Sequence, residues 1–383
     1  MENEKKILNV VSVFFSIPFF FGDQLKYFRE KGYDIYLVCS PSDKIENFAN
    51  IQNVKFKEFK IVRKFTIFQD LKTTYKLYQY IKKNKFDIVV GHTPKGALLS
   101  MLASFFASTQ KRVYFRHGLV YETKKGIGKY FLKNIERLTS LLSTKVVCVS
   151  PYLIDKSIAD KLTSIKKLTL LRKGSCNGVD VLSKFNPSNI LETKLNNLKF
   201  KLLINEENYV IGYVGRLVKD KGISELVQAF LSLLSNHKKV KLLLVGPYED
   251  KDALDSNTIN EIERNENIIR VGHIDDEIEY YYALMNIFIL PTYREGLGTS
   301  ILEASSMEIP VLTTSHTGSR DAIINNVTGS YIDVNSKSIF NTLDKYIKNQ
   351  KEYCHQGYEG RKHMLNNFKQ ELIWKEIECK IYN

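Results

Sequence analysis

The sequence has few of the residues that build disulfide frameworks or metal sites. Its five cysteines, at positions 39, 148, 176, 354 and 379, are scattered and form no C-x-x-C pair. The seven histidines form no H-E-x-x-H pattern. An odd, dispersed set of thiols is typical of reduced cysteines in the cytoplasm. We therefore expect no disulfide framework, no metal site built from protein ligands, and no cofactor.

Apolar runs long enough to cross a bilayer are also missing. The run 10–22 is interrupted by serines and Pro18, and the run 96–108 is too short to span the hydrocarbon core. The first residues, Met-Glu-Asn-Glu-Lys-Lys, lack the layout of a signal peptide. We expect a protein that is neither secreted nor integral to a membrane.

Charge is plentiful but unevenly placed. The formal net charge is +14, made of +18 in residues 1–190 and −4 in the remainder. Such asymmetry suggests that one half meets an anionic membrane or another polyanion. Basic clusters occur at Arg63-Lys64, Lys82-Lys83, Lys111-Arg112, Lys124-Lys125 and Lys166-Lys167. A solvated lysine-rich surface is the alternative, and a nucleic-acid-binding protein is a weaker one because no RRM, KH or helix-turn-helix pattern occurs.

Strand and helix patterns alternate along the chain, which predicts an α/β protein with two doubly wound parallel sheets. A polar stretch at 183–207 separates the halves, so we place an N-terminal domain at 1–185 and a C-terminal domain at 205–358. A short helix is expected at 319–324, and the last segment, 352–382, reads as one helix.

The most informative segment is Arg294-Glu-Gly-Leu-Gly-Thr-Ser-Ile-Leu-Glu303. It follows an apolar run that reads as a buried strand and leads into a predicted helix. Amide groups at a helix N-terminus suit a phosphate, and the carboxylates of Glu295 and Glu303 suit hydroxyl groups. A sugar nucleotide has both. In the alternative interpretation, Ser300-x-x-Glu303 is a capping box that only satisfies the helix end.

This Glu-x7-Glu pattern resembles the signature of retaining glycosyltransferases of family 4, which have the GT-B fold. Val214-Gly215-Arg216-Leu217, followed by Lys221-Gly222, is similar to a second family segment. The resemblance runs from about residue 85 to about 330. It implies two Rossmann-like domains facing a central cleft, with an acceptor-binding first domain and a nucleotide-sugar-binding second domain. It also implies that a terminal helix, 360–383, crosses back to the first domain.

The resemblance further implies roles for individual residues. Arg216 and Lys221 would neutralise the departing diphosphate, Glu295 would hold the donor sugar and His117 would contact that sugar. The other donor-binding candidates are Gly22, Gly215, His273, Gly296, Leu297, Gly298, Thr299 and Glu303.

The loop after the first strand departs from the family pattern. Many relatives carry a Gly-Gly pair there, whereas this chain has Phe19-Phe20-Phe21-Gly22. Only Gly22 is available there. The three phenylalanines either line an apolar acceptor site or belong to the core of the first sheet.

The sequence thus predicts a retaining glycosyltransferase of capsule or exopolysaccharide biosynthesis. Its donor would be a nucleotide-sugar, with a UDP-sugar favoured, and its acceptor a polyprenyl-diphosphate-linked or other saccharide. We expect catalysis without a metal, a cytoplasmic protein held peripherally on the inner face of the cell membrane, an anionic membrane surface as a partner, and no nucleic acid. A UDP-sugar 2-epimerase of the same fold is the alternative enzyme.

Overall fold

The computed structural model describes residues 5–62, 64 and 66–383. The described chain forms two compact units. The first runs to Gly178 and regains Gln370–Asn383, while the second is Val179–Lys369. By comparison with the expected boundaries, the first unit ends before residue 185, and residues 360–369 stay with the second unit. Arg63 of the expected basic clusters lies outside the described residues.

The first unit is built on a seven-stranded sheet in the order β3-β2-β1-β4-β5-β6-β7, with every neighbouring pair parallel. Its strands are β1 (Lys6–Val10), β2 (Asp34–Cys39), β3 (Lys55–Glu58), β4 (Ile88–Gly91), β5 (Lys111–Arg116), β6 (Lys145–Cys148) and β7 (Leu168–Leu170). Its first helices are α1 (Ile17–Phe21), α2 (Gln24–Glu30), α3 (Ile45–Ile51), α4 (Ile67–Asn84), α5 (Pro94–Phe106), α6 (Gly126–Leu142) and α7 (Pro151–Ala159).

Residues that alternate along β1 belong to two separate cores of the first unit. Ile7 packs with α2 residues such as Phe28, whereas Leu8 packs with Leu77 of α4 and Leu99 of α5. Successive side chains of a strand point to opposite faces, so helices cover both faces of this sheet. The central strands are therefore apolar on both sides, as parallel sheets require.

The second unit is built on a six-stranded parallel sheet in the order β10-β9-β8-β11-β12-β13. Its strands are β8 (Tyr209–Val214), β9 (Val240–Val245), β10 (Ile268–Gly272), β11 (Ile287–Leu290), β12 (Val311–Thr314) and β13 (Gly329–Ile332). Its helices are α8 (Glu192–Lys201), α9 (Ile223–Leu234), α10 (Ser256–Arg264), α11 (Ile278–Ala283), α12 (Thr299–Ser306), α13 (Ser336–Lys348) and α14 (Gln350–Asn367).

Two helix predictions need correction. The segment expected as a helix at 319–324 is a 3-10 turn, Gly318–Ala322. The single terminal helix expected at 352–382 is divided: α14 ends at Asn367, α15 spans Gln370–Ile377, and a π-helical turn covers Glu378–Tyr382. The break places α15 in the core of the first unit, where Trp374 donates a 2.8 Å hydrogen bond to the Asn177 amide oxygen.

Candidate active site

The predicted donor residues other than Gly22 and His273 lie on two loops at the switch point of the second sheet. The chain proceeds from β8 to β9 and β10 on one side, then crosses to β11 on the other side of β8. Ligands of open α/β sheets bind beyond the carboxyl ends of the strands at such a point. Arg216 and Lys221 follow β8, and Glu295 to Glu303 follow β11. The topology therefore brings the two motifs together.

The two loops are joined by direct contacts. The Lys221 ammonium donates to the Glu295 carboxylate and, at 3.4 Å, to the Arg294 carbonyl oxygen. The Arg294 guanidinium pairs with the Asp220 carboxylate at 2.8 Å. The Tyr293 amide adds a 2.9 Å hydrogen bond to the Asp220 carbonyl oxygen. Lys221 is thus half of a loop-to-loop ion pair.

Lys221 keeps Glu295 ionised. Burial by itself would raise the pKa of the Glu295 carboxyl, but attraction to Lys221 and the hydrogen bond from it lower the pKa below its usual range. The Gly296 amide, which donates to Glu295 Oε1 at 3.1 Å, acts in the same direction. An ionised carboxylate at this position is an acceptor for sugar hydroxyl groups.

Arg216 lies at the carboxyl end of β8 and is also paired. Its guanidinium contacts the Glu249 carboxylate at 2.7 Å, and its carbonyl oxygen accepts a 2.8 Å hydrogen bond from the buried Tyr213 hydroxyl. Burial, then the charge of Glu295, raise the pKa of Tyr213 well above its usual value, while the charge of Arg216 opposes the shift. The charges of Arg216 and Glu295 therefore both lie close enough to the Tyr213 hydroxyl to act on its pKa.

Close contacts explain two glycines near Arg216, one against a side chain and one against the backbone. Gly215 has a φ of +152°, and a Cβ on it would lie 2.8 Å from the Tyr213 hydroxyl. At the end of β9, a Cβ on Gly246 would lie only 1.9 Å from the Gly215 carbonyl oxygen. Only glycine fits at Gly246, so the two strand ends touch through their backbones.

The glycine loop forms the N-terminus of α12. Gly298 is the N-cap residue with a φ of +87°, a conformation that glycine adopts at little cost. The Leu297 side chain is buried, and Thr299, the first residue of the helix, is exposed. The Gly318 amide donates to the Glu295 carbonyl oxygen at 3.0 Å and ties the loop to the 3-10 turn after β12. The helix therefore presents its exposed first residue, Thr299, next to the loop that carries Glu295.

Glu303 does not form the capping box. Because the N-cap is Gly298 and carries no side-chain cap, Ser300 lies inside the helix, and the alternative interpretation of Ser300-x-x-Glu303 is wrong. The Tyr282 hydroxyl instead donates to Glu303 Oε2 at 2.6 Å. Burial raises the pKa of the Glu303 carboxyl, opposed by the Tyr282 hydrogen bond and by the charge of Lys184.

His273 lies just beyond β10, on the outer side of β9. It is exposed, and its Nε2 lies 3.1 Å from the Asp275 carboxylate. Its predicted place in the loop that holds the nucleotide base remains a prediction.

His117 of the first unit follows β5 and contacts a second histidine, His92, which follows β4. The pair is linked by a 3.1 Å contact between His92 Nδ1 and His117 Nε2, and His92 Nε2 lies 3.4 Å from the Asn9 amide oxygen. With Asn9 as acceptor, His92 and His117 each donate from Nε2, which leaves His117 Nδ1 as an acceptor.

Burial lowers the pKa of His117 to about 3, and burial with the charge of His117 lowers the pKa of His92 well below its usual value. Both rings are therefore neutral near pH 7.

The three phenylalanines lie in α1, where Phe21 confirms the core alternative, while an apolar acceptor site remains a prediction. The Phe21 side chain is buried in the core of the first unit, whereas Phe19 is exposed. The Phe20 ring stacks on the His117 imidazole with centroids 3.8 Å apart. Gly22, with a φ of +46°, faces Asn177 and Gln370, and a Cβ on it would lie 3.0 Å from the Asn177 amide nitrogen. Its assignment to the donor remains a prediction.

One acidic triplet competes with the prediction of a metal-free site. Asp250-Lys251-Asp252 places two carboxylates at the D-x-D spacing that suits a shared divalent cation. The Asp252 carboxylate accepts a 2.8 Å hydrogen bond from the Asp220 amide, and Asp250 is exposed. No group of three His, Cys, Asp or Glu side chains within residues 5–62, 64 and 66–383 is arranged to hold a metal ion.

Three site residues could not be assigned from the motifs alone. Glu249 and Tyr213 hold Arg216, and Tyr282 holds Glu303. The tyrosine run at 280–282 is the one signal in the sequence, because a buried tyrosine hydroxyl requires a hydrogen-bond partner.

Comparisons with known proteins match both units. The family model described as glycosyl transferases group 1 matches residues 195–363, and the model described as glycosyl transferase 4-like matches residues 7–150. The chain is 35% identical over 385 residues to the capsular polysaccharide biosynthesis glycosyltransferase CapM of Staphylococcus aureus, covering 100% of this chain and 98% of that protein.

Two further similarities are more distant. The chain is 26% identical over 332 residues to the UDP-Gal:alpha-D-GlcNAc-diphosphoundecaprenol alpha-1,3-galactosyltransferase of Escherichia coli, covering 84% of this chain and 83% of that protein. The crystal structure of HepE from Anabaena in complex with UDP and glucose superposes with a TM-score of 0.81 at 17% identity, covering 99% of this chain and 100% of that chain.

Proposed function

The chain belongs to the family 4 glycosyltransferases of group 1 and has their GT-B fold, and from this premise we propose its substrates and mechanism. It moves a sugar from a UDP-sugar to a polyprenyl-diphosphate-linked saccharide, with retention of configuration, in surface polysaccharide biosynthesis. Two relatives support this choice, one a glycosyltransferase of capsule biosynthesis and the other an enzyme with a UDP-Gal donor and a diphosphoundecaprenol acceptor. Family membership favours transfer over the 2-epimerase alternative.

The observation that carries the proposal is the Lys221–Glu295 ion pair across the switch point of the second sheet. It places a cation for phosphate and a carboxylate for sugar hydroxyls side by side, which is what a sugar diphosphate requires. Both side chains are mostly shielded from water, with 12% and 22% of their surface exposed, so their charges act through a lower dielectric than at the surface.

We assign Arg216 and Lys221 to the diphosphate, whose negative charge grows as the glycosidic bond breaks. In the structure both cations are paired with carboxylates, Glu249 and Glu295. Binding of the donor therefore includes an exchange of partners: phosphate oxygens take over the cations, and the Glu295 carboxylate turns to sugar hydroxyls. The amides at the start of α12 add partial positive charge for the phosphate.

Glu303 accepts hydrogen bonds from the ribose hydroxyls, oriented by Tyr282. The neutral His117 contacts the donor sugar, and its Nδ1 accepts a sugar hydroxyl. For the transfer itself we propose same-face attack, in which an oxygen of the donor phosphate takes the acceptor proton. The new glycosidic bond forms on the face from which the nucleoside diphosphate departs, so configuration is retained.

Two further parts of the proposal concern metal and location. Catalysis proceeds without a divalent metal because the two cations supply the positive charge. The enzyme is cytoplasmic and acts at the inner face of the membrane, where a lipid-linked acceptor resides. The basic first half of the sequence supports attachment to an anionic leaflet.

The decisive experiment is a screen of the purified protein. Nucleotide sugars with different bases and sugars are tested for hydrolysis and for transfer to undecaprenyl-diphosphate-linked monosaccharides, with product stereochemistry read by NMR. Transfer from a UDP-sugar with retained configuration is expected. Interconversion of the sugar at C2 without an acceptor, or an inverted product, contradicts the proposal.

A further inference from the structure

Helix α6 turns polar side chains toward the interior of the first unit and several apolar side chains toward water. This is the reverse of the arrangement expected for a helix that covers a sheet. Its buried positions include the polar residues Glu136, Thr139 and Ser140. Five of its large apolar side chains face water, with Ile127 88% and Leu141 71% exposed, whereas Leu132 and Ile135 are half-buried and Leu142 is buried. The outward-facing apolar residues are Ile127, Tyr130, Phe131, Leu138 and Leu141. Their spacing of three, four and seven residues places them in a stripe on one face of the helix, interrupted at its middle by the exposed Asn134.

A buried ionic network fixes this orientation. The fully buried Arg116 contacts Glu136 at 3.3 Å and donates to the Ser140 hydroxyl at 2.6 Å, while the Tyr114 hydroxyl donates to Glu136 at 2.9 Å. Rotating α6 to bury the stripe would strand the Arg116 and Glu136 charges in an apolar interior. Breaking such a buried pair is strongly destabilising, so the stripe is held outward by the fold.

Lysines border the stripe at its N-terminal end. Lys124, Lys125 and Lys129 are all exposed, and they alternate with the exposed Ile127 and Tyr130. An apolar stripe next to lysines is typical of a helix that lies in the interface of an anionic bilayer, where apolar groups enter the acyl region and lysines reach the headgroups.

Helix α4 repeats the arrangement. It exposes Ile67, Phe68, Leu71 and Tyr75 on one face, and Lys72 and Lys76 are exposed beside them. Both α4 and α6 pack against α5. Because both helices return from the carboxyl edge of the sheet toward its amino edge, their first turns lie at the edge that carries His117.

We propose that the outer faces of α4 and α6 form one membrane-docking surface that takes an anionic lipid bilayer. Among residues 5–62, 64 and 66–383, no helix is long and apolar enough to span a membrane, so the surface would lie on the bilayer. A second copy of the chain is a poor occupant, because pairing this face with itself would oppose lysine to lysine. A protein partner is disfavoured because lysine is depleted in protein interfaces relative to the rest of the surface.

This surface deepens the proposed function, since it brings the acceptor-binding unit to a lipid-linked acceptor. Only the biological purpose of the docking surface rests on the proposed function. The docking itself rests on the exposed stripe and the lysines.

The test is co-sedimentation of the full chain with vesicles. Phosphatidylcholine vesicles are compared with vesicles of equal parts phosphatidylcholine and phosphatidylglycerol, at low and high salt. We expect binding to the anionic vesicles alone, weakened at 1 M salt, where the Debye length is ~3 Å against ~10 Å at 0.1 M. The variant I127S/F131S should lose at least about tenfold in vesicle affinity, because two apolar side chains no longer enter the bilayer. K125Q/K129Q should lose affinity and part of the salt dependence.

A matched control removes equally exposed apolar residues elsewhere. Phe200 and Leu203 are 84% and 80% exposed, and F200S/L203S should bind vesicles like the wild type. A depth probe is F131W with brominated lipids: its fluorescence should be quenched, whereas the single native tryptophan, the buried Trp374, should not respond.

Three results would overturn the docking surface. They are equal vesicle binding by wild type and I127S/F131S, no binding of the wild type to anionic vesicles at low salt, and a dimer in sedimentation that I127S/F131S dissociates. UDP titration separates this inference from the proposed function. A variant that loses vesicles but binds UDP normally supports the surface, and a wild type that binds vesicles but turns over no nucleotide sugar refutes the proposed function alone.

Discussion

The Tyr282 hydroxyl donates a 2.6 Å hydrogen bond to the Glu303 carboxylate, and helix α12 begins without any help from that carboxylate. Glu303 is therefore held by a side chain of α11 at a place where it does not stabilise its own helix. A buried carboxylate with a single fixed donor has lone pairs left for a ligand. This relationship distinguishes a binding role from a capping role more clearly than the motif does.

We predict that E303Q weakens binding of UDP by about 10- to 100-fold, the range for losing charge-assisted hydrogen bonds to the ribose. Calorimetric titration of UDP measures it. Y282F should show a smaller loss, because the carboxylate stays but is no longer oriented. The exposed Glu261 provides the control E261Q, which should bind UDP like the wild type. Unchanged UDP affinity in E303Q would remove Glu303 from the nucleotide site.

In contrast to E303Q, E295Q should lower sugar transfer without weakening the binding of UDP. Because Glu295 occupies Lys221 in the structure, removing its charge frees the cation, so UDP binding should be unchanged or stronger. Transfer should nevertheless fall, since the hydroxyl groups of the donor sugar lose the carboxylate that accepts their hydrogen bonds. Titration with UDP and steady-state kinetics measure the two effects. A tenfold loss of UDP affinity would contradict the assignment of Glu295 to the sugar.

Arg216→Ala and Lys221→Ala should each lower turnover by about 10²- to 10³-fold, the effect of losing one donor to transition-state charge. Lys221→Ala also leaves Glu295 unpaired, so part of its effect is on stability. The double variant K221A/E295Q removes the stranded charge, and it should recover Tm without recovering turnover. Near wild-type transfer in either single variant would rule out the assigned clamp.

Much of the fold could be predicted because the strands are apolar runs in a regular alternation with helices. The pattern predicts helices at 67–84 and 94–106 and strands at 111–116 and 240–245, and α4, α5, β5 and β9 lie there. α3, α7 and α8 could not be predicted, because they are short and their amphipathic pattern is weak. The apolar positions of the last segment predict one helix at 352–382. α15 instead packs in the core of the first unit, where Trp374 contacts Asn177, and local propensity does not report such tertiary contacts.

The sequence could predict which loops carry the candidate site, but not which side chains on those loops pair with one another. Motif spacing places Lys221 and Glu295 on adjacent strand ends, yet it does not show that they form an ion pair. Likewise, nothing in the sequence pairs Arg216 with Glu249, or His117 with His92, because those contacts join residues from different loops. Such contacts depend on which strands are neighbours in the sheet, and motif spacing does not report the strand order.

Turnover should survive EDTA. Arg216 and Lys221 supply positive charge, whereas the Asp250-Lys251-Asp252 triplet is the feature that would argue for a cation. Asp250 is exposed, so D250N tests the triplet without disturbing the Asp220 amide that Asp252 accepts from. We expect D250N to keep turnover within about twofold, as exposed substitutions usually have small effects. Activity abolished by EDTA and restored by Mg²⁺ or Mn²⁺ would contradict metal-independent transfer.

The histidine pair should make the protein less stable in acid. Burial lowers the pKa of both rings in the folded state, to about 3 for His117, so the unfolded chain takes up protons first as the pH falls below about 6.5. Stability that is present above that pH is therefore lost on acidification, by up to about 1.4 kcal/mol per pH unit for each histidine. Tm measured from pH 7.5 to 5 should fall less steeply in H92Q/H117Q than in wild type. The exposed His355 gives the control H355Q, which should keep the wild-type slope. An unchanged slope in H92Q/H117Q would mean that both rings take up protons at the same pH in the folded and unfolded protein, which would contradict the lowered pKa values on which the neutral acceptor role of His117 rests.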